Sequence, residues 1–571
     1  MTTLSPAKTK KTLFLHDVVL IGIMGVLATC GLIYEYLLSH YAARILGAVE
    51  STIYAMIGIM IVSMGIGAYS ARWFKHAFTA FAWLEAIIAL LGMSVILVIA
   101  GIIALVETLP QLLGQVFNLP PDFILDGDIF HVLKHTASFI PYIAGFVLGA
   151  LIGMEIPLIA RARQDIYGHY LTHNISTIYG ADYIGAGIGA GIWVTCLLSM
   201  EITQAAIWTA LFNIIAGWIF IWRYRQRIRY AQALIAVHVG LLGLLALFAQ
   251  SGAGWMRDMS NVLYKDQVVF STQTQYQHIS ITQRLIGARP IYDLYLNGRL
   301  QFSSQDEHIY HSMLTYPAMA ASRRHDNVLI IGGGDGLALR DVLRWDPKHV
   351  TLIDLDPQLV HLFSQAKDTQ DTLLQRMTTL NAYAFQDPRV TLIFGDAFVE
   401  IDPLLREGHL FDTIIVDLPD PSHPDLNKVY SDYFYARLRH LLQGDGALAI
   451  QSTSPYHATK AFQSIGKTVA AAGFQHVDQY RQNVPSFGEW GWTIATKRGQ
   501  SALSRLKKLA LLPISDGWIT RDIIVGAFAF PEYFYRQIKQ IKVNTLGSGQ
   551  LYQYHFQSWE QDQGILIPTK H

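Results

Sequence analysis

Two patterns of apolar positions divide this chain. Up to residue 250, apolar residues run almost unbroken in stretches of roughly 20, the length of a helix that crosses a bilayer. These stretches fall at about 15–38, 53–73, 78–106, 136–160, 177–198, 203–222 and 229–250. They predict an α-helical, polytopic membrane domain of about seven spans over residues 1–250. The first run is not a cleaved leader, because further spans follow it and no small-residue cleavage site stands after it. Beyond the short junction SGAGWMRDMSN, 251–261, the pattern changes to period two. HISITQ and YDLYLNGRLQF read as strands, with Asn297-Gly298 as a hairpin turn. From about 326, the runs VLIIG, HVTLIDLD, RVTLIFGD, FDTIIVD and GALAIQS alternate with helical segments. That alternation predicts a doubly wound sheet with a parallel core, which gathers ligands at the carboxyl ends of its strands.

Composition agrees with this division. Of 571 residues, 51% are hydrophobic and 15% charged, with 43 basic side chains against 43 acidic; soluble proteins average about 25% charged. Zero net charge and the lack of a basic, aromatic-interleaved stripe in the second half give no case for nucleic acid. Cys30 and Cys196 both fall inside expected spans and say nothing of redox compartment. Lys8, Lys10, Lys11, Arg72, Lys75, Arg161, Arg163, Arg223, Arg225, Arg227 and Arg229 lie at alternate loops, the set that the positive-inside rule assigns to the cytoplasm. Four acids, Glu35, Glu85, Glu155 and Asp182, fall within or near the spans. Acids there invite a functional reading, here a path for cationic amines. The plainer reading is hydrogen bonding between helices. Gly185 with Gly189, and Gly187 with Gly191, suit close helix packing.

The stretch VLIIGGGDGLALRDVLRW, 328–345, runs from a strand through a glycine loop into a helix. Backbone without side chains lets a ligand approach closely. The dinucleotide fingerprint fails here, since Leu337 stands where its third glycine belongs, and no GKS or GKT offers a phosphate site. The strand ends are acidic instead: Gly332, Gly334 and Asp335 after the first, then Asp354, Asp396, and Asp417 followed by Asp420. A carboxylate past the glycine loop can accept both ribose hydroxyls. The set therefore points to a positively charged nucleoside, a sulfonium such as S-adenosylmethionine or its decarboxylated form. Taken singly, such acids also serve as helix caps.

At these residues the chain resembles the spermidine synthases, the polyamine aminopropyltransferases. The resemblance covers about 262–500, through TQYQHI, LYLNGRLQFSSQDEHIYHSM, IIGGGDG, LIDLD, FGDA and IVDLPDPSHP. CGLIYEYLLSHYAARILG, GMEIPL and GADYIGA resemble the seven-span segment fused to such enzymes in some bacteria, and FAFPEYF to VNTLGSGQLYQYH their C-terminal extension. The resemblance implies a junction and β-hairpin region over 251–324, a Rossmann-like α/β domain of the class I methyltransferase type over 325–500, and an extension over 501–571. It further implies a homodimer in the cell membrane that transfers the aminopropyl group of decarboxylated S-adenosylmethionine to an amine, putrescine by default. No metal is required.

Carried over position by position, the resemblance makes Asp417 the group that deprotonates the attacking amine, with Asp420 and Tyr276 holding that amine. Gln277, Asp306, Asp354 and the glycine loop would contact the donor. Asp396 and Ala397 would read the adenine, and Pro424 would line its pocket. Asp306 would hold the aminopropyl ammonium and reject the carboxylate of the parent sulfonium, because like charges in a partly desolvated site cost several kcal/mol, an order-of-magnitude figure. The chain departs from the family in three places. Phe487 replaces a common tyrosine, Asp354 a common glutamate, and Leu418-Pro419 small polar residues. The rival readings are a membrane methyltransferase using intact S-adenosylmethionine and a polyamine-binding or transport protein with a sensing domain. Sidedness is pulled both ways: seven spans and the basic loops put the second half outside, whereas the donor is made in the cytoplasm.

Overall fold

The computed structural model describes residues 6–46, 49–117, 128–167, 174–198, 200–264, 266–366, 369–514 and 516–562. It divides into two units, Met1–Gln283 and Arg284–His571. The division falls inside a strand, between the boundaries expected at 250 and 324.

In the first unit, the apolar runs fold into α1 (Pro6–Leu46), α2 (Val49–Ser70), α3 (Ala77–Val116), the short α4 (Asp128–Ala137), α5 (Ile140–Tyr167), α6 (Asn174–Ile192), α7 (Ile202–Tyr224) and α8 (Ala231–Leu263). Among the described residues, six helical stretches are long and apolar enough to cross a membrane: His16–Ala43, Thr52–Trp73, Ala77–Pro110, Val132–Tyr167, Ile202–Tyr224 and Ala231–Met259. The seventh expected run, 177–198, is not one of them. It forms α6 and a π-helical turn, Trp193–Leu197. The junction at 251–261 is corrected too. It is the end of α8, because Met256 and Met259 pack on the bundle core and the Tyr41 hydroxyl reaches Met256 Sδ at 3.9 Å.

One end of the bundle gathers the basic loops. Arg161 donates to the Ala71 carbonyl at 3.1 Å, Arg163 to Asp17 at 2.8 Å and Arg227 to the Asp165 carbonyl at 3.4 Å, while Arg223 lies 3.0 Å from His16. The starts of α1, α3 and α8 and the ends of α2, α5 and α7 therefore share this end. Since α5 finishes there and α7 begins at the other, α6 bridges the two. It runs alongside α1 in the same direction, with Gly185 facing Gly25 and Gly189 facing Thr29. Of the four acids in the spans, Glu85 and Glu155 are buried, and Glu85 accepts a 2.7 Å hydrogen bond from Asn213 on α7. Glu35 and Asp182 are half-buried.

After α8, β1 (Gln267–Gln273) pairs antiparallel with β2 (His278–Ile286). In the second unit, β3 (Arg289–Leu296) pairs with β4 (Arg299–Ser303) across the expected hairpin, where Asn297 and Gly298 both take positive φ, 51° and 77°. Next come α9 (Glu307–Ala321), β5 (Asn327–Gly332) and α10 (Leu337–Leu343). They are followed by β6 (His349–Asp354), β7 (Val390–Phe394), β8 (Phe411–Asp417), β9 (Leu442–Gln451), β10 (His476–Val484) and β11 (Gly488–Thr496). Their sheet has the order β10-β11-β9-β8-β5-β6-β7. β9, β8, β5, β6 and β7 are parallel, and β11 and β10 close the edge antiparallel. On β5, Val328 and Ile330 pack into one core and Leu329 and Ile331 into another, so both faces are covered. That burial explains why the strands read as continuous apolar runs.

The glycines of α6 give a paired test. A Cβ on Gly185 would lie 2.2 Å from the Gly25 carbonyl oxygen, whereas one on Gly187 meets nothing within 4 Å. Gly185→Val is expected to lower the thermal midpoint of the detergent-solubilised protein by the equivalent of about 1–3 kcal/mol, the usual cost of overpacking. Gly187→Val is expected to leave it unchanged.

Candidate active site

The sheet brings the expected acids to one edge of the second unit, at the carboxyl ends of its parallel strands. β5 and β8 pair so that Gly332 stands opposite Asp417, and the Gly333 amide donates to the Asp417 carbonyl at 3.1 Å. Gly332, Gly333 and Gly336 have φ of 79°, 71° and 75°, conformations costly for other residues. A Cβ on Gly334 would come 2.8 Å from the Asp354 carboxylate, so that acid lies flat against the loop. The Asp335 carboxylate accepts from the Leu337 amide at 2.9 Å at the start of α10. Asp396 caps the helix Ala397–Arg406 by accepting from the Phe398 amide at 3.0 Å, and its other oxygen pairs with Lys428. Asp396 thus meets the helix-cap reading of an acid after a strand, with Ala397 the first residue of that helix. Pro424 opens the 3-10 segment Pro424–Tyr430. Tyr276 and Gln277 belong to the first unit, in the turn between β1 and β2, where both amides donate to Thr274 Oγ1.

Other residues, invisible to sequence reasoning, hold these acids in place. Asp417 accepts a 2.8 Å hydrogen bond from the Tyr310 hydroxyl on α9. Asp306, just before α9, is buried and accepts from the Ser486 amide at 2.6 Å and the Ser486 hydroxyl at 2.8 Å. Phe487 follows in the same turn, its ring 6.0 Å from that of Tyr310 and 5.1 Å from that of Trp490. Asp420 accepts from Gln451 at 3.0 Å and from Thr453 at 3.2 Å. Only the Pro485-Ser486-Phe487 stretch carried a sequence signal of this kind, as a departure from a family pattern.

Charge in the pocket is balanced from beneath by α9. Burial works against the charged form of Glu307, but hydrogen bonds from His311 and Arg340 outweigh it and hold the carboxyl at about 2. Burial likewise opposes a charged His311. The Glu307 hydrogen bond and the charges of Asp335, Glu307 and Asp417 overcome it and raise the imidazole to about 9. His311 therefore carries a positive charge at neutral pH. Burial pushes Asp417 above the usual carboxylate range, with the His311 charge pulling it back. Burial also raises Asp354, to about 7. Perturbed acids around a glycine loop make this edge the candidate functional site.

Comparisons with known proteins show the family to which the chain belongs. Residues 307–507 match the family described as Spermine/spermidine synthase domain. A polyamine aminopropyltransferase of Shewanella oneidensis is 55% identical over 566 residues, which is 99% of this chain and 98% of that one. The chain belongs to the polyamine aminopropyltransferase family. Another protein of that name, from Oceanobacillus iheyensis, is 31% identical over 94% of this chain and 96% of its own. A crystal structure of spermidine synthase from Thermotoga maritima is similar over 48% of this chain and 87% of its own, at 22% identity and a TM-score of 0.40. As a polyamine aminopropyltransferase, the chain is a transferase whose co-substrate is decarboxylated S-adenosylmethionine.

The electrostatic coupling is testable apart from any activity. In the full chain with labelled aspartate, carbon NMR is expected to place the titration of Asp417 above the ordinary value of about 3.9. His311→Gln removes the cation that favours the carboxylate, so that titration is expected to move further up. A downward move would contradict the assignment of charge to His311.

Proposed function

We propose that this aminopropyltransferase moves the aminopropyl group of decarboxylated S-adenosylmethionine to putrescine, giving spermidine and methylthioadenosine. The observation that carries this reading is the half-buried Asp417, hydrogen-bonded to Tyr310 beside the glycine loop. An alkylammonium has a pKa near that of lysine, about 10.4, and must lose a proton before it can attack. Asp417 takes that proton. The freed nitrogen lone pair displaces the thioether at the methylene carbon next to the sulfonium, and the C–S bonding electrons return to sulfur. Asp420 holds the diamine. Asp354, Asp335, Gly332 and Gly334 cradle the nucleoside, with Asp396, Ala397 and Pro424 completing the donor contacts and Phe487 facing the amine. Asp306 holds the donor ammonium in place of the Ser486 hydroxyl, and its negative charge repels the carboxylate of the parent compound.

The lipid bilayer is the second partner in this reading. The bundle exposes large apolar side chains such as Val62, Ile184 and Trp222 while burying Glu85 and Glu155, the reverse of a soluble helical domain. The positive-inside rule assigns the arginine-lined end to the cytoplasm. The end of α8 then leaves the bundle at the opposite end, toward the outside. In a Cys196→Ser background, Leu511→Cys, whose position is 81% exposed, is expected to react with an impermeant thiol reagent in intact cells. Labelling only in inverted vesicles would put the synthase in the cytoplasm, close to donor supply.

Product analysis tests the chemistry. Purified full-length protein given the decarboxylated donor and a panel of amines is expected to release methylthioadenosine and to elongate putrescine. S-adenosylhomocysteine formed from intact S-adenosylmethionine would instead support a methyltransferase. Asp417→Asn is expected to lower turnover by about 10²-fold or more, as loss of a general base does, with donor binding retained.

A further inference from the structure

The C-terminal extension carries a motif, VNTLGSGQLYQYH at 543–555, to which neither the fold nor the donor chemistry gives a role. Its placement in the second unit is tightly determined. Asn544 is fully buried, donates to the carbonyls of Asn427 at 3.2 Å and Tyr430 at 3.1 Å, and accepts from the Leu551 amide at 3.2 Å. Its own amide donates to Thr468 Oγ1 at 2.9 Å. Leu551, in the helix Gln550–Asp562, sits in the core with Tyr430 and Phe434. One turn further along, on the same helix face, is His555.

His555 is 1% exposed, and its Nε2 lies 3.3 Å from Asp420 Oδ2. The same oxygen accepts from Thr453 Oγ1 at 3.2 Å, and Oδ1 accepts from Gln451 Nε2 at 3.0 Å. Thr453 holds this position at a φ of +61°, a left-handed conformation that is rare and strained for a β-branched residue. Strain of that kind persists where surrounding contacts over-determine it, typically at ligand clamps. Two segments far apart in sequence thus converge on one carboxylate: the end of β9 with the turn after it, and the C-terminal helix.

We propose that His555 is a positioning residue for the acceptor amine, and that the C-terminal segment 541–562 forms one wall of the amine subsite through it. The inference rests on the reading that Asp420 holds the amine. A carboxylate that binds an ammonium must present a free lone pair in a fixed direction while keeping its charge. Gln451 bonds Oδ1 while Thr453 and His555 share Oδ2, which leaves the second lone pair of Oδ1 for the ligand. With the His555 donor removed, the carboxylate can rotate about its Cβ–Cγ bond, and amine affinity falls while the donor contacts at the glycine loop are untouched.

Steady-state kinetics of the full-length protein separate the possibilities, with putrescine varied at saturating decarboxylated donor and the donor varied at saturating putrescine. His555→Met keeps much of the volume and removes the N–H; it is expected to raise the KM for putrescine about tenfold, the scale of one hydrogen bond to a charged group, with the donor KM unchanged. His555→Gln restores an N–H near the Nε2 position and is expected to recover most of that loss at a similar thermal midpoint. Equal changes in both KM values, no change in the putrescine KM, failure of Gln to rescue, or unfolding of both variants would each overturn the proposal and leave the segment a structural clamp. Asp420→Asn is the control for the underlying reading. If it leaves the putrescine KM unaltered, the assignment of Asp420 itself fails, whereas an effect there without one at His555 overturns only the role of His555.

Discussion

The pocket depends on how closely two strand ends meet. Gly332 at the end of β5 lies so near the Asp417 backbone that a Cβ there would sit 2.0 Å from its carbonyl oxygen. Without a side chain, the Gly333 amide can bond to that carbonyl, and β5 and β8 stop at the same level. The glycine loop then turns over between two carboxylates, Asp417 on one side and Asp354 on the other, each close enough that a Cβ on Gly333 or Gly334 would meet it. Any larger residue at Gly332 would drive the strands apart and separate the loop from the Asp417 carboxylate.

Collecting carboxylates in a buried pocket is costly unless each is hydrogen-bonded or offset by opposite charge. The fold supplies both. α9 sets Tyr310 against Asp417 and brings up His311, whose charge is sustained by Glu307, itself held by Arg340. The turn between β10 and β11 satisfies Asp306 through Ser486, and Gln451, Thr453 and His555 surround Asp420. Hydrogen bonds from several elements restrict how these carboxylates can turn, and fixed geometry is what orientation of a sulfonium against an amine requires.

The helical unit solves the converse problem. Its helices expose large apolar side chains and approach one another closely at glycines. Gly153 on α5 faces the Met64 backbone on α2, and Gly185 on α6 faces Gly25 on α1; at each site a Cβ would collide with a carbonyl oxygen. The arginines of the loops bond back to helix-end carbonyls and to Asp17, which ties one end of the bundle together.

Local periodicity determined much of this protein. Long apolar runs gave the helices, alternating segments gave the parallel sheet, Asn297-Gly298 gave its hairpin, and acids after each strand gave the edge where the pocket lies, because each follows from neighbours in the chain. The same local view read 251–261 as a junction, since nothing in those residues reveals that Met256 and Met259 pack back on the bundle. It also could not distinguish Gly185, pressed against α1, from Gly187, which faces open space two residues away. The groups that tune the pocket were likewise out of reach. Tyr310 meets Asp417 across 107 residues, Ser486 meets Asp306 across 180, and His555 meets Asp420 across 135. A sequence fixes which groups are present and the face of an element they occupy. Which carboxylate is bonded, charged or held still is decided only when distant elements pack, because hydrogen bonds and desolvation act over a few ångströms of space and not along the chain.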